Sequence, residues 1–282
     1  MTKKRIRTLL IEDSGLMRIM ISDILRSDPE IELMGTAKNG KEGFEKAKAL
    51  QPDVVVTDMV MPEYDGLYAV KQIMKEIPTP IILLSSLEKT NSQIFDALDA
   101  GAMDFVDKPQ GRDDKALRVS SSLLRRLIKS AAMINPATLV PGSVKKNTRK
   151  HTFSSHSNYH IIVIGASTGG PGAVEVIIKN LPANLSIPVV IAQHMPERFL
   201  KSFTGRLNEY TPLQVKTASA DEKLRAGVVY VAPGRRNLKI VQDVATGEAK
   251  FGFTRRKFRE FNEPSVDCLF STAAQVFKNK VI

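Results

Sequence analysis

The sequence of 282 residues contains one cysteine and no tryptophan. A single cysteine cannot form an internal disulfide, and it cannot supply the set of ligands that a structural zinc site needs. Disulfide-stabilised scaffolds and cysteine-rich zinc folds are therefore excluded. Because free cysteine behaves as a small apolar residue, we predict that Cys268 lies in a hydrophobic core.

Long apolar runs are also missing. No stretch reaches the roughly 18 apolar residues that a membrane-spanning helix needs. The charged N-terminal residues pass into a short apolar segment that lacks the length and the small-residue cleavage site of a signal peptide. From these absences we expect a cytoplasmic chain that does not insert into a membrane.

The charge is unevenly distributed. A formal net charge of +11 by itself favours nucleic acid or an anionic membrane as partner. Residues 1–125, however, hold slightly more acidic than basic residues, and the positive excess lies further along the chain. No helix-turn-helix pattern follows the first half, so a transcription regulator is the least favoured function and we expect no nucleic acid partner.

Short β-branched runs alternate with amphipathic helical patterns in the first 125 residues, which is typical of a parallel sheet with helices on both faces. Five such units predict an α/β domain of the flavodoxin-like (βα)5 kind. Its strands are expected at residues 6–11, 31–37, 53–58, 80–86 and 103–106.

Residues 126–158 lose this periodicity and gather Ser, Thr, Asn, Pro and basic residues without an acid, which indicates a linker. Its basic run KKNTRK is interpreted as a solvated tether rather than a binding site for an anionic surface. The alternation restarts in residues 159–282 and predicts a second, doubly wound and mostly parallel α/β domain. The expected elements are strands at 160–165, 187–192 and 228–233, a hairpin around Thr246-Gly247, and a last helix that begins near Ser265.

Polar residues follow the strands of the first domain. Glu12 and Asp13 come after the first strand, Asp58 ends the third, Ser85 ends the fourth and Lys108 follows the fifth. The carboxyl ends of parallel strands meet at one edge of the sheet, so these side chains are expected to converge. Three carboxylates in one crevice require a divalent cation, and oxygen ligands suit Mg²⁺. Asp58 is then a candidate phosphoryl acceptor, with Lys108 and Ser85 bound to the phosphoryl oxygens.

This pattern closely resembles the response-regulator receiver family, through the segments IEDS, VVVTDMVMPEYDG, LLSS and FVDKP. The resemblance implies Mg²⁺-dependent phosphorylation of Asp58. It also implies a two-state switch in which Ser85 moves inward and Phe105 repacks. A core position without a switching role is the alternative interpretation of Phe105.

The segment GASTG places Ser167 between a predicted strand and a predicted helix, the context in which a G-x-S-x-G sequence carries a nucleophile. The backbone N–H of Thr168 and the helix N-terminus would then face a developing oxyanion. A glycine-rich phosphate-binding turn is the main alternative. A serine needs a base, and His194 ends the next predicted strand at the same edge.

The segments IGASTGGP, IAQHMPERF, YVAPG and PSVDCLF resemble the catalytic domain of the chemotaxis protein-glutamate methylesterases, in the family's order. The resemblance implies that Ser167 attacks a glutamate methyl ester on a chemoreceptor while His194 acts as base and then acid. It also implies deamidation of receptor glutamine, a chemotaxis histidine kinase as phosphodonor, and no cofactor for the ester chemistry.

One part of the family pattern is absent. The family places the acid of its triad in a G-M-G-x-D-G loop after the strand that follows the last helix, and no such loop occurs. We therefore expect a C-terminally truncated chain, an incomplete second domain and esterase activity near background. Asp221, Asp243 and Asp267 are candidate substitutes for that acid, but none occupies the position that the resemblance gives it.

Two further interpretations stay open. In the first, the second domain is a non-catalytic effector, and the receiver acts as a phosphoryl sink or binding module. A fluorophosphonate probe that reacts with activated serine separates this from the enzyme. In the second, the basic run at residues 255–259 binds an acidic receptor helix, although a solvated hairpin face is favoured.

Overall fold

A computed structural model describes residues 4–85, 91–108, 114–136, 158–258 and 263–282. The chain divides into two compact units, Met1–Asn147 and Thr148–Ile282. Most of the predicted linker, residues 137–157, lies outside the described residues, and so do the KKNTRK run and Arg259. Across the described residues, no helix is both long and apolar enough to cross a bilayer.

The first unit is a five-stranded parallel sheet in the order β2-β1-β3-β4-β5. Its strands are apolar and almost wholly buried at the centre, as expected when helices cover both faces. They are β1 (Ile6–Ile11), β2 (Ile31–Ala37), β3 (Val54–Asp58), β4 (Ile81–Ser85) and β5 (Asp104–Asp107). The predicted flavodoxin-like fold is confirmed, with strand ends within one residue of those expected from the sequence.

Five helices alternate with these strands: α1 (Gly15–Arg26), α2 (Gly40–Leu50), α3 (Gly66–Glu76), α4 (Asn91–Asp99) and α5 (Asp114–Ala131). The first three begin at a residue whose side chain caps the helix, namely Ser14, Asn39 and Asp65. Each accepts a hydrogen bond from a backbone N–H of the first turn, which satisfies a group that the helix itself leaves unbonded.

The predicted boundary at residue 125 falls inside α5. The helix continues to Ala131, and Leu127, Ile128 and Ala131 are buried in the same hydrophobic core as Leu124. Residues 126–131 therefore belong to the first unit rather than to a linker, because their apolar side chains complete its core.

The second unit contains a four-stranded parallel sheet in the order β6-β7-β9-β8 and a separate antiparallel hairpin. The sheet strands are β6 (Ile162–Ala166), β7 (Val189–Gln193), β8 (Gln214–Thr217) and β9 (Val228–Val231). The hairpin joins β10 (Asn237–Gln242) to β11 (Ala249–Thr254). Helices α6 (Gly170–Lys179), α7 (Glu197–Glu209) and α8 (Val266–Phe277) complete the unit.

The core of this unit lies between the sheet, the hairpin and α8. Tyr230 of β9 and Phe251 of β11 pack edge to face with their ring centroids 4.8 Å apart. Cys268 in α8 is buried and forms no disulfide, so its predicted place in a core is confirmed. Beyond α8, Lys280–Ile282 run beside β6: Val281 forms a parallel bridge with Ile161, and Ile282 N donates to Ile161 O at 3.0 Å.

Candidate functional sites

The polar residues predicted to meet in the first unit lie at the carboxyl edge of its sheet. Glu12 follows β1, Asp58 is the last residue of β3, and both side chains are almost fully buried. Ser85 is the last residue of β4 and is also buried. Lys108 follows β5 and donates its backbone N–H to Ser85 O at 2.8 Å. The order β1-β3-β4-β5 of neighbouring strands is what brings these four residues to one place.

Lys108 joins the two buried carboxylates. Its Nζ lies 2.7 Å from Asp58 Oδ2, 2.8 Å from Glu12 Oε2 and 3.0 Å from Glu12 Oε1. Burial raises the pKa of both Glu12 and Asp58, even though Lys108 acts in the opposite direction. Burial also lowers the pKa of Lys108, but its bonds to Asp58 and Glu12 outweigh that effect and leave the pKa above its ordinary value. One lysine therefore does not fully compensate the negative charge.

The carboxylates around Lys108 are arranged as in a divalent-cation site. Carboxylate oxygens of Glu12, Asp13 and Asp58 all lie within 4.8 Å of one another. Asp13 is exposed, which leaves an open side for water. Asp58 Oδ1 is buried and has no hydrogen-bond partner in the part of the chain that the structure describes. An orphaned buried carboxylate oxygen and a net negative charge both fit a hard cation with oxygen ligands.

The residue proposed as a switch lies in the core. Phe105 is 4% exposed and sits at the middle of β5, where its backbone pairs with Leu83 of β4. Residues 86–90, which follow Ser85, lie outside the described residues. The roles of Ser85 and Phe105 in switching stay predictions.

In the second unit, Ser167 stands on a tight turn between β6 and α6. Gly169 has φ +72, in the left-handed region that glycine adopts without strain, and Gly170 N donates to Ser167 O at 2.7 Å. Gly165 is needed for close packing, because a Cβ there would lie 2.4 Å from Val266 Cγ1. Small residues around Ser167 therefore leave it exposed at the end of the strand.

His194 directly follows β7, just as Ser167 directly follows β6, and the two strands are neighbours in the sheet. The parallel register pairs Ala166 of β6 with Gln193 of β7, and the next residues along each chain are Ser167 and His194. His194 N donates to Ala166 O at 2.9 Å, which extends the ladder one step beyond the strands. The structure thus brings the predicted nucleophile and the predicted base to one edge of one sheet. Of the other histidines, His151 and His156 lie outside the described residues.

Backbone donors accompany the serine. The N–H groups of Thr168 and Gly169 donate to no backbone carbonyl of the described residues. They lie between Ser167 and the first turn of α6, where the positive end of the helix dipole adds to their attraction for an anion. This is the arrangement that an oxyanion site or a phosphate-binding turn requires, and the neighbouring histidine favours the first.

The three acids Asp221, Asp243 and Asp267 differ in their surroundings. Lys250 binds Asp243 at 2.9 Å and Asp221 at 3.2 Å, both in or beside the hairpin. The bond from Lys250 and the backbone N–H groups of Thr246 and Ala245 lower the pKa of Asp243 to about 2. Asp267 instead follows Val266, whose side chain contacts Gly165. Its part in orienting His194 stays a prediction.

Two amide side chains were missed by the sequence analysis. Gln193 donates to the backbone carbonyls of Ser167 and His194. Asn237 is buried, donates to Arg256 O at 2.8 Å and accepts from Ser265 N at 2.8 Å, so it connects the basic run to the start of α8. No sequence signal identifies either residue, because each role depends on backbone groups distant in the chain. Arg255 and Arg256 are exposed, and their receptor-binding role stays a prediction.

Comparison with known proteins matches both units. Residues 8–119 match the response regulator receiver domain model, and residues 162–282 match the CheB methylesterase model. A protein-glutamate methylesterase/protein-glutamine glutaminase 2 of Carboxydothermus hydrogenoformans is 40% identical over 281 residues, which cover 97% of this chain and 79% of that protein. The corresponding protein of Thermotoga maritima is 38% identical over 284 residues, which cover 100% of this chain and 81% of that protein. A crystal structure of the Thermotoga maritima CheB methylesterase catalytic domain is 38% identical, with a TM-score of 0.42 over 44% of this chain and 64% of that chain.

Proposed function

The chain belongs to the chemotaxis protein-glutamate methylesterases, in which a response regulator receiver precedes a CheB methylesterase domain, and on that premise we propose a phosphorylation-controlled hydrolase. Its substrates are glutamate methyl esters of chemoreceptors, and its products are the free glutamate and methanol. Receptor glutamine is a second substrate, which the same acyl chemistry converts to glutamate and ammonia.

The reaction proceeds through a covalent intermediate. His194 removes the proton of Ser167 Oγ as that oxygen attacks the ester carbonyl. The N–H groups of Thr168 and Gly169 stabilise the resulting oxyanion. The protonated His194 returns the proton to the departing methoxide, and methanol leaves a glutamyl ester on Ser167. Water, activated by the same imidazole, then attacks this ester and restores the serine.

One observation carries this proposal. The hydrogen bond from His194 N to Ala166 O, together with the Ala166–Gln193 register, supports a serine and a histidine that leave adjacent strands side by side. A phosphate-binding turn has no need of that histidine.

Control by the receiver rests on the acidic pocket. Asp58 is the phosphoryl acceptor, and a chemotaxis histidine kinase is its donor. Glu12, Asp13 and Asp58 would hold Mg²⁺, and that ion would supply positive charge beside the acceptor carboxylate and the phosphoryl group. Lys108 and the Ser85 hydroxyl bind the oxygens that remain. Phosphorylation of Asp58 then raises the rate of ester hydrolysis at Ser167.

Labelling by a fluorophosphonate probe tests the catalytic pair. We expect His194→Ala to slow labelling of Ser167 by on the order of 10²- to 10⁴-fold, since the serine then has no base. The matched control is His160→Ala, a histidine of the same unit whose Nε2 lies 3.4 Å from Lys280 Nζ. Equal labelling of both variants would contradict the assigned base. A chain that is never labelled, with or without acetyl phosphate, would support the phosphoryl sink instead.

Calorimetry with Mg²⁺ tests the metal site. At a Mg²⁺ concentration about ten times its Kd, binding to the folded receiver should raise its free energy of unfolding by about 1.4 kcal/mol. Asp13→Asn removes one carboxylate and should abolish this increase. Asp23→Asn, at an exposed position of α1, should retain it. An undiminished response in Asp13→Asn would place the cation elsewhere.

A further inference from the structure

Gln193 is the last residue of β7, and its side chain lies between the two residues assigned to the ester chemistry. It is only 1% exposed. Its Nε2 donates to Ser167 O at 3.1 Å and to His194 O at 3.0 Å. A single buried amide therefore links the turn that carries the nucleophile to the segment that carries the base.

The chemistry of these contacts selects an amide. Two carbonyl oxygens on one side require a group with two N–H donors, and the NH₂ of glutamine supplies them. A carboxylate would present oxygen to oxygen. An apolar side chain would remove the donor to His194 O and leave Ser167 O with its bond from Gly170 N alone. The amide orientation is fixed by the same contacts, since only Nε2 can face both carbonyls.

The other end of the amide lies against α6. Gln193 Oε1 is buried and has no hydrogen-bond partner within the described ranges. A Cβ added to Gly170 would lie 2.3 Å from this Oε1 atom and 2.9 Å from Ala166 Cβ, and both distances are too short. Position 170 can therefore contain only glycine while Gln193 keeps its place. Gly172, two residues further along α6, has open space around its Cβ position.

We propose that Gln193 is a positioning residue that fixes the backbone of Ser167 relative to that of His194, and that Gly170 provides the space it needs. This inference rests on the proposed function, because it assigns those two residues to one reaction. A serine and its base must be held to within a fraction of an ångström, and a displacement of about 1 Å can cost about 10²-fold in rate. Gln193 touches neither substrate nor reacting atoms and acts only through the residues that do.

Methanol release from methylated receptor by the full chain tests this role. Gln193→Ala should lower kcat by about 10- to 100-fold and leave KM within about twofold, because the receptor is still bound but the pair is misaligned. Gly170→Ala should lower kcat by about 10-fold by displacing the amide. Gly172→Ala, the matched control in the same helix, should leave kcat unchanged.

A double-mutant cycle shows whether Gly170 acts through Gln193. In the Gln193→Ala background the 2.3 Å contact with the amide is removed and the 2.9 Å approach to Ala166 Cβ remains, so Gly170→Ala should then lower kcat by less than it does beside Gln193. An equal cost in both backgrounds, or an unchanged kcat in Gln193→Ala, would overturn the proposal. If Gln193→Ala does not fold, the comparison of Gly170→Ala with Gly172→Ala decides, and equal kcat values would be the contrary result.

A second readout needs no substrate and separates this proposal from the function on which it rests. The ring signals of His194 in an NMR spectrum of the ¹⁵N-histidine-labelled chain should shift in Gln193→Ala and in Gly170→Ala, and should be unchanged in Gly172→Ala. Unchanged signals in all three variants would overturn the positioning role, even in an active enzyme. Shifted signals in a chain that releases no methanol would retain the positioning role and reject the hydrolase.

Discussion

Ser167→Ala is expected to abolish methanol release from methylated receptor, because no acyl intermediate can then form. In serine hydrolases of unrelated fold, the donors and binding contacts that remain after the nucleophile is removed contribute only a residual acceleration. The exposed turn and the small residues around it tolerate alanine, so the melting temperature should change little. Measurement requires single-turnover methanol release with the phosphorylated chain.

Ser219→Ala is the control for this loss. Ser219 is also exposed in the second unit, and its backbone N–H, not its hydroxyl, bonds Glu222 at 3.2 Å. The Ser219→Ala variant should release methanol at the rate of the unsubstituted chain. Activity retained by Ser167→Ala would remove the nucleophile from the mechanism and return the GASTG turn to its alternative interpretation as a phosphate site.

Asp58→Asn should eliminate phosphorylation by acetyl phosphate and with it the increase in esterase rate. An amide of nearly the same shape cannot form an acyl phosphate, and its oxygen is a much poorer nucleophile than a carboxylate. The substitution keeps the size of a side chain that is 2% exposed, so the sheet should remain intact. Incorporation of ³²P, measured together with methanol release, gives both quantities from one sample.

Asp23→Asn is the matched control for Asp58→Asn. Asp23 is exposed on α1, where its carboxylate lies 3.8 Å from Arg26 in an ion pair, and the Asp23→Asn chain should incorporate phosphate normally. Phosphate that persists in Asp58→Asn would point to the exposed neighbour Asp13 as acceptor. If Asp58→Asn incorporates no phosphate but its esterase rate still increases, phosphorylation of the receiver does not control the esterase.

The sequence patterns identified the strands because most strands are buried, β-branched runs. The same patterns missed β8, whose four residues QVKT at the edge of the sheet include one buried position, Val215. A short strand with one buried apolar residue differs little from a loop in its composition. Its position is set by pairing with β9 rather than by its own residues.

The sequence predicted those site residues that directly follow a strand. Ser167 and His194 directly follow strands, and parallel strands bring such positions together. The bridge that Lys108 forms between Glu12 and Asp58 could not be predicted from the sequence, because a lysine that follows a strand can reach many partners. The structure identifies them by distance. Gln193 could not be predicted, because it bonds backbone carbonyls that only the register of two strands places within its reach.

The continuation of α5 to Ala131 determines where the two units can be separated by proteolysis or recombinant expression. Leu127 is 4% exposed, and Ile128 and Ala131 are wholly buried. A receiver fragment that stops at residue 125 would lose these side chains and open a hydrophobic trough on its sheet. Self-association of that fragment through the trough would then mimic a signalling dimer, and a cleavage point beyond residue 134 avoids this artefact.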